Sequence, residues 1–174
     1  MTKIEQKIVA LLADYPEKEF YAQEISEKVK CSKASASIIL KALADKKIIS
    51  RTAKGHMKFY QINQKNPEVK RFRINWAMGK LNSILPGLKK HSQRIILFGS
   101  ASRGEQTFGS DMDLFVLSLD KNKTKMDLKK ISGRLRIKAI IKTAGEWSEM
   151  EIKDPEFFAE VKNGITLYNY VPGI

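Results

Sequence analysis

Gly99-Ser100, then ten residues, then Asp111-Met112-Asp113 is the stretch whose residue types and spacing are suited to chemistry. The second element heads an apolar run, Leu114-Phe115-Val116-Leu117. Carboxylates entering a core are costly unless a partner or a metal completes them. Side chains two apart on a strand share a face, so Asp111 and Asp113 point one way and Met112 the other. That placement grips one hard cation from one side, and Mg²⁺ (or Mn²⁺) relieves the repulsion between the two carboxylates. Gly99 lets backbone approach a ligand, Ser100 adds a hydroxyl, and a helix starting near Ala101 would turn free N–H groups toward a phosphate. A phosphate cradle and a two-carboxylate grip, tied by one short loop, describe a site for a nucleoside triphosphate (NTP).

The elements that must hold this site are legible around it. A β-rich run precedes the glycine at 94–98, and a second strand is predicted from about Met112 to Leu117. The later strand, predicted over 134–142, contains no acid; Glu146, Glu149 and Glu151 follow in a segment expected to be loop or helix. Asp154-Pro155-Glu156 opens a helix with Phe157, Phe158 and Val161 on one side, Asn163-Gly164 ends it, and residues 165–168 return as an extended piece. Phe157 and Phe158 read as core, and Trp147 as packing in preference to base stacking.

Taken together, Gly99-Ser100 and Asp111-Met112-Asp113 at this spacing, with Arg103-Gly104 and Ser110 between them, resemble the signature of the DNA polymerase beta-like nucleotidyltransferase superfamily. The form FGSASRGEQTFGSDMDL is similar to its minimal members, over residues 92 to about 170. The resemblance implies transfer of a nucleoside monophosphate from NTP to a hydroxyl, with release of pyrophosphate. It implies Mg²⁺ on Asp111 and Asp113, the β and γ phosphates on Gly99 and Ser100, Arg103 near their charge, and Ser110 in the same nucleotide-binding set. It also implies a third carboxylate on a later neighbouring strand, where this sequence departs from the pattern, leaving Glu146, Glu149 or Glu151 to swing in or acceptor activation missing. Minimal members are often found with a helical partner protein or fused to DNA-binding domains.

Of the 174 residues, 43% are apolar and 29% charged, as in globular proteins of one large or two small domains. The net charge of +13 is unevenly placed: residues 1–29 carry −2, residues 91–174 carry +2, and residues 30–90 carry +13, from fifteen Lys or Arg against Asp45 and Glu68. A concentrated basic excess favours a polyanion, because neutralised phosphates release counterions. Charge by itself leaves RNA and a merely solvated lysine-rich surface open beside duplex DNA.

Helical spacing at Ile4, Ile8, Leu11 and Leu12, then at Ala22, Ile25 and Val29, and then at Ala36, Ile39, Leu40 and Leu43 behind an N-cap at Ser32, predicts three helices. Strands are predicted at 47–51 and 57–62, joined by a tight turn at Lys54-Gly55. Three helices and a basic hairpin in this order resemble a winged helix-turn-helix DNA-binding domain over residues 1–63. That resemblance implies that Lys33, Ser35, Ser37, Ile38 and Lys41 face double-stranded DNA and that Lys54, His56 and Lys58 contact phosphates. The glycine usual before the wing is Lys47 here, and the recognition face lacks Arg, Asn or Gln for bidentate base contacts, so weak or shape-led sequence preference is expected. The competing reading is a protein-binding winged helix, with exposed Ile38 in its favour.

Asn66-Pro67-Glu68 starts a further helix expected to run to about Ile84, with Val69, Phe72, Trp76, Ala77, Leu81 and Ile84 on one face and Lys70, Arg71 and Arg73 on or near the other. It suits a connector or part of a homodimer interface. No segment approaches the roughly 20 apolar residues of a spanning helix, Cys31 has no second cysteine to pair with, and two histidines with one cysteine argue against zinc. A cytoplasmic protein without a membrane partner is expected. The fold class expected is α+β in two domains: a winged helix at 1–64, a basic connector at 65–90, and an α/β nucleotidyltransferase fold with a mixed sheet and flanking helices at 91–174. The function expected is a DNA-binding nucleotidyltransferase; the alternative is a transcriptional regulator whose degenerate transferase domain binds nucleotide or mediates assembly without turnover.

Overall fold

A computed structural model describes residues 1–131 and 135–170, so Arg134 of the predicted strand and residues 171–174 lie outside the described residues. The chain divides into two compact units, Met1–Arg73 and Ile74–Ile174, the division falling inside one helix.

The first unit opens with α1 (Lys3–Asp14), β1 (Phe20–Tyr21), α2 (Ala22–Val29) and α3 (Lys33–Asp45). Thr2 caps α1 in a reciprocal capping box with Glu5, and the Ser32 hydroxyl accepts from the Ser35 N–H at the start of α3. The apolar stripes converge as their spacing predicts: Ile8, Leu12, Ile25, Leu40 and Leu43 are buried together with Phe20 and Tyr60. An antiparallel hairpin follows, β2 (Ile49–Lys54) with β3 (Met57–Ile62), and β1 pairs with the other side of β3. The first hairpin arm starts at Ile49 and so lies later than the predicted 47–51, because Lys47 lies in the turn before it, with φ +57°. A glycine would take that left-handed geometry freely, and a lysine does so at a cost of about 1 kcal/mol.

The connector helix, α4 (Pro67–Leu81), starts at the predicted cap, where Asn66 Oδ1 accepts from the Glu68 N–H. It stops earlier than expected, and a separate short helix, α5 (Leu85–Lys89), follows with proline in its first turn. Val69 and Phe72 belong to the core of the first unit, whereas Ala77, Leu81 and Ile84 belong to that of the second. Arg73, expected on the polar side, is buried and donates to the Ala13 carbonyl at 2.7 Å.

The second unit is a mixed sheet, β6-β5-β4-β7, of β4 (Ser92–Phe98), β5 (Met112–Ser118), β6 (Ile137–Lys142) and β7 (Ile165–Asn169). Strands β4 and β5 are antiparallel, β5 and β6 parallel, and β7 runs antiparallel to β4. The parallel pair needs a crossover, which α7 (Lys121–Ile131) supplies. The apolar runs of β4 and β5 are buried on both faces: Ile95, Leu97, Leu114 and Val116 pack with Leu81 and Leu88, while Ile96, Phe98 and Phe115 pack with Val161. Helices α8 (Ala144–Lys153) and α9 (Pro155–Lys162) cover the second face. Trp147 sits between Phe115 and Phe158, at ring distances of 4.5 and 4.3 Å, and Phe157 packs edge-on to Phe98 at 5.5 Å.

Candidate functional site

Strand pairing brings the two halves of the Gly-Ser and Asp-x-Asp stretch together. Phe98 at the end of β4 is the register partner of Asp113 near the start of β5, so Gly99 lies beside the Asp113 side chain. A Cβ placed on Gly99 would sit 2.5 Å from Asp113 Oδ2, and Gly99 has φ +67°. Both the space and the backbone angle therefore call for glycine. The helix expected near Ala101 begins instead at Gly99 and lasts one turn, as α6 (Gly99–Ser102), too short for an aligned macrodipole.

Burial pushes the Asp113 carboxyl up, the charge of Lys138 draws it back, and the like charges of Asp111 and Glu160 raise it again, with Arg103 opposing. These five ionisable groups thus share one electrostatic neighbourhood. Asp111 is exposed and stands just ahead of β5. Arg103 donates to Glu105 Oε2 at 3.0 Å and to Glu160 Oε1 at 3.3 Å, which hold its guanidinium above the usual arginine range. Ser100 is half-buried in α6. Ser110 closes a turn of the loop, its hydroxyl accepting from the Thr107 N–H at 2.9 Å, an interaction internal to that loop.

The residue that neighbours Asp113 on the other side is Lys138, its register partner on β6. None of the acids proposed from sequence stands there. Glu146 caps α8 in a box with Thr143 and pairs with Lys121 Nζ at 2.7 Å; Glu149 pairs with Lys153. Thr143 lies past the far end of β6, five residues from Lys138 and hence about 16 Å along the strand. Among the described residues, no group of three or more His, Cys, Asp or Glu is placed to hold a metal. Asp111 and Asp113 offer oxygen donors of the kind a hard cation takes, and among the described residues no further acid is placed with them for a metal cluster.

Lys121 and the Thr143 N–H hold the Glu146 carboxyl down to about 2. A depressed acid adds stability that is present above the ordinary carboxylate range and lost as pH falls toward 2. Glu146→Gln is accordingly expected to melt below the parent protein at pH 6, and the two melting curves should converge near pH 2.

In the first unit, Lys33, Ser37 and Lys41 of α3 and His56 and Lys58 of the hairpin line one groove of about 620 Å³. Two residues predicted with them do not: Ser35 is engaged with the Ser32 cap, and Lys54 pairs with Glu19 and lies 5.2 Å from the Phe59 ring centroid. The sequence reading missed Arg51, which lines the groove beside Ile38, Met57 and Tyr21. Its signal in the sequence is its place inside the basic stretch 30–90. Ile38 is 71% exposed.

Residues 78–160 match the family model described as a nucleotidyltransferase domain. Among solved structures, a protein described as a possible transcriptional regulator from Methanosarcina mazei Go1 is similar at 20% identity and TM-score 0.38, covering 49% of this chain and 78% of that one. A mutant of ZitR from Lactococcus lactis is similar at 22% identity and TM-score 0.41, covering 52% of this chain and 62% of its own. No curated protein matches the chain.

Proposed function

We propose that the chain binds double-stranded DNA through the α3 and hairpin face of its first unit, and a nucleoside triphosphate with one divalent cation through Gly99, Ser100, Asp111 and Asp113 of its second. Residues 1–64 then serve DNA, 91–174 serve nucleotide, and the basic segment 65–90 joins them, in a cytoplasmic protein. The observation that carries the nucleotide half is the approach of the Asp113 carboxylate to Gly99, which only glycine tolerates. It places a carboxylate beside backbone free to meet a phosphate, inside the stretch that matches a nucleotidyltransferase domain. The cation, when bound, neutralises triphosphate charge. Gly99 and Ser100 orient the phosphates, while Asp111 and Asp113 hold the cation from one side.

The DNA half is supported by four cationic side chains, Lys33, Lys41, Arg51 and Lys58, around one groove between a capped helix and a hairpin. A second reading, nucleotidyl transfer to a hydroxyl, is favoured by the family match over 78–160.

Titrating the purified full chain with fluorescent ATP and with a labelled duplex tests both halves. Mg²⁺-dependent ATP binding, lost in the Asp111→Asn, Asp113→Asn double variant, is expected. Lys33→Ala with Lys41→Ala should weaken the duplex about tenfold and lower the salt slope by about 2. ATP binding untouched by the Asp pair would refute the nucleotide half; duplex affinity untouched by the lysines would refute the other.

A further inference from the structure

The neighbour of Asp113 on β6 changes what the site can do with its nucleotide. Strands β5 and β6 are parallel, and Asp113 and Lys138 are register partners. Paired residues on adjacent strands lie about 4.8 Å apart and project from the same face. Strand β6 is the edge of the sheet, and Lys138 on it is exposed. Among the described residues it closes no ion pair, while its positive charge is the strongest charge acting on Asp113. Arg103, the other cation nearby, is already engaged by Glu105 and Glu160. The local charges are therefore the Asp111 and Asp113 carboxylates, an arginine whose guanidinium is paired with Glu105 and Glu160, and one ammonium that acts on Asp113 without closing an ion pair among the described residues.

Two divalent ions cannot be held there on ordinary terms. A dication needs oxygen ligands, and two carboxylates serve one such ion well. A second would sit beside an ammonium that repels it and supplies no lone pair. The same ammonium suits a phosphate, which lysine meets as a compact point charge. In two-metal displacement, one ion holds the leaving oxygen and the other the attacking oxygen. Lysine replaces the charge of an ion but not its capacity to bind and acidify an acceptor hydroxyl.

We propose that Lys138 stands in for a second metal ion, so that the site takes a nucleoside triphosphate with a single divalent cation and holds it as a ligand without passing it to an acceptor. The triphosphate then acts on the protein as a signal. This inference rests on the nucleotide-binding reading above and decides between its two forms.

The test is the number of Mn²⁺ ions per bound nucleotide in the full chain, read by electron paramagnetic resonance with a non-hydrolysable ATP analogue. Parent protein is expected to hold one Mn²⁺ per nucleotide, and Lys138→Asp two. Lys138→Ala should keep one ion and bind the analogue about tenfold more weakly, a loss of about 1.4 kcal/mol. The Ala variant keeps the question answerable if Lys138→Asp fails to fold. Two ions in the parent protein, or analogue affinity unchanged in Lys138→Ala, would overturn the proposal while leaving nucleotide binding intact. No analogue binding by the parent protein would overturn the nucleotide-binding reading and this proposal together.

Discussion

Gly99→Ala should cut Mg²⁺-dependent triphosphate binding by about a hundredfold while leaving duplex binding unchanged. The substitution meets two obstacles at once. The added Cβ would lie 2.5 Å from Asp113 Oδ2 and 3.2 Å from its Cγ, so the carboxylate must turn away from the position that makes it a ligand. The backbone must also keep φ at +67°, which costs alanine about 1–2 kcal/mol. Taking a carboxylate ligand off the cation at a loss of about 2.8 kcal/mol corresponds to an effect near a hundredfold. Equilibrium titration with fluorescent ATP, beside a melting curve to show that the domain is folded, reads the result. Unchanged affinity would mean that Asp113 can retreat without consequence and is no part of the nucleotide site.

The largest effect on stability is expected from Gly164→Ala, at the entry to β7. There an added Cβ would come to 2.5 Å from the Leu97 carbonyl oxygen, 2.7 Å from Ile96 Cγ2 and 3.0 Å from the Val161 carbonyl. Two of these atoms are backbone and cannot rotate aside, so β7 must shift away from β4. Overpacking of this kind costs about 1–3 kcal/mol, and about 1 kcal/mol moves the melting point of a unit this size by roughly 4–8 °C. Gly79→Ala provides the contrast: nothing lies within 4 Å of its Cβ, and it sits inside α4. Alanine there is expected to stabilise by about 0.5–1 kcal/mol. Calorimetric scans of both variants check the pair, and equal shifts would mean that the close approach of β7 to β4 is not tight.

Most of the element order was legible because it follows from short-range physics. Caps at Ser32, Asn66 and Asp154, helical stripes, and unbroken apolar runs for β4 and β5 each act within a few residues. Helix α7 was missed for the same reason: Lys121–Ile131 has too few apolar side chains to show a stripe, and its N-terminal signal is only Asp120, whose carboxylate accepts from the Asn122 and Lys123 N–H groups. Arg73 was misplaced because periodicity assigns a charged residue to the outer face, and nothing local announces the Ala13 carbonyl sixty residues back. Lys54 reads from sequence as a free wing cation; only the fold brings Glu19 to it.

At the candidate site the division is sharper. The sequence alone determined that a carboxylate at 113 would stand near the head of a buried strand, and that a glycine would precede it across a short loop. Strand periodicity and the conformational freedom of glycine are properties of the local chain. It also determined that the predicted later strand contains no acid. Tertiary structure decided which residue fills that place, since the register of β6 against β5 puts Lys138, and no neighbour of it, beside Asp113. It decided equally that Glu160, on a helix 57 residues along the chain from Arg103, joins that arginine near the site, and that Glu146 leaves it for Lys121. Register and helix packing are set by the sum of distant contacts, which no window of sequence contains.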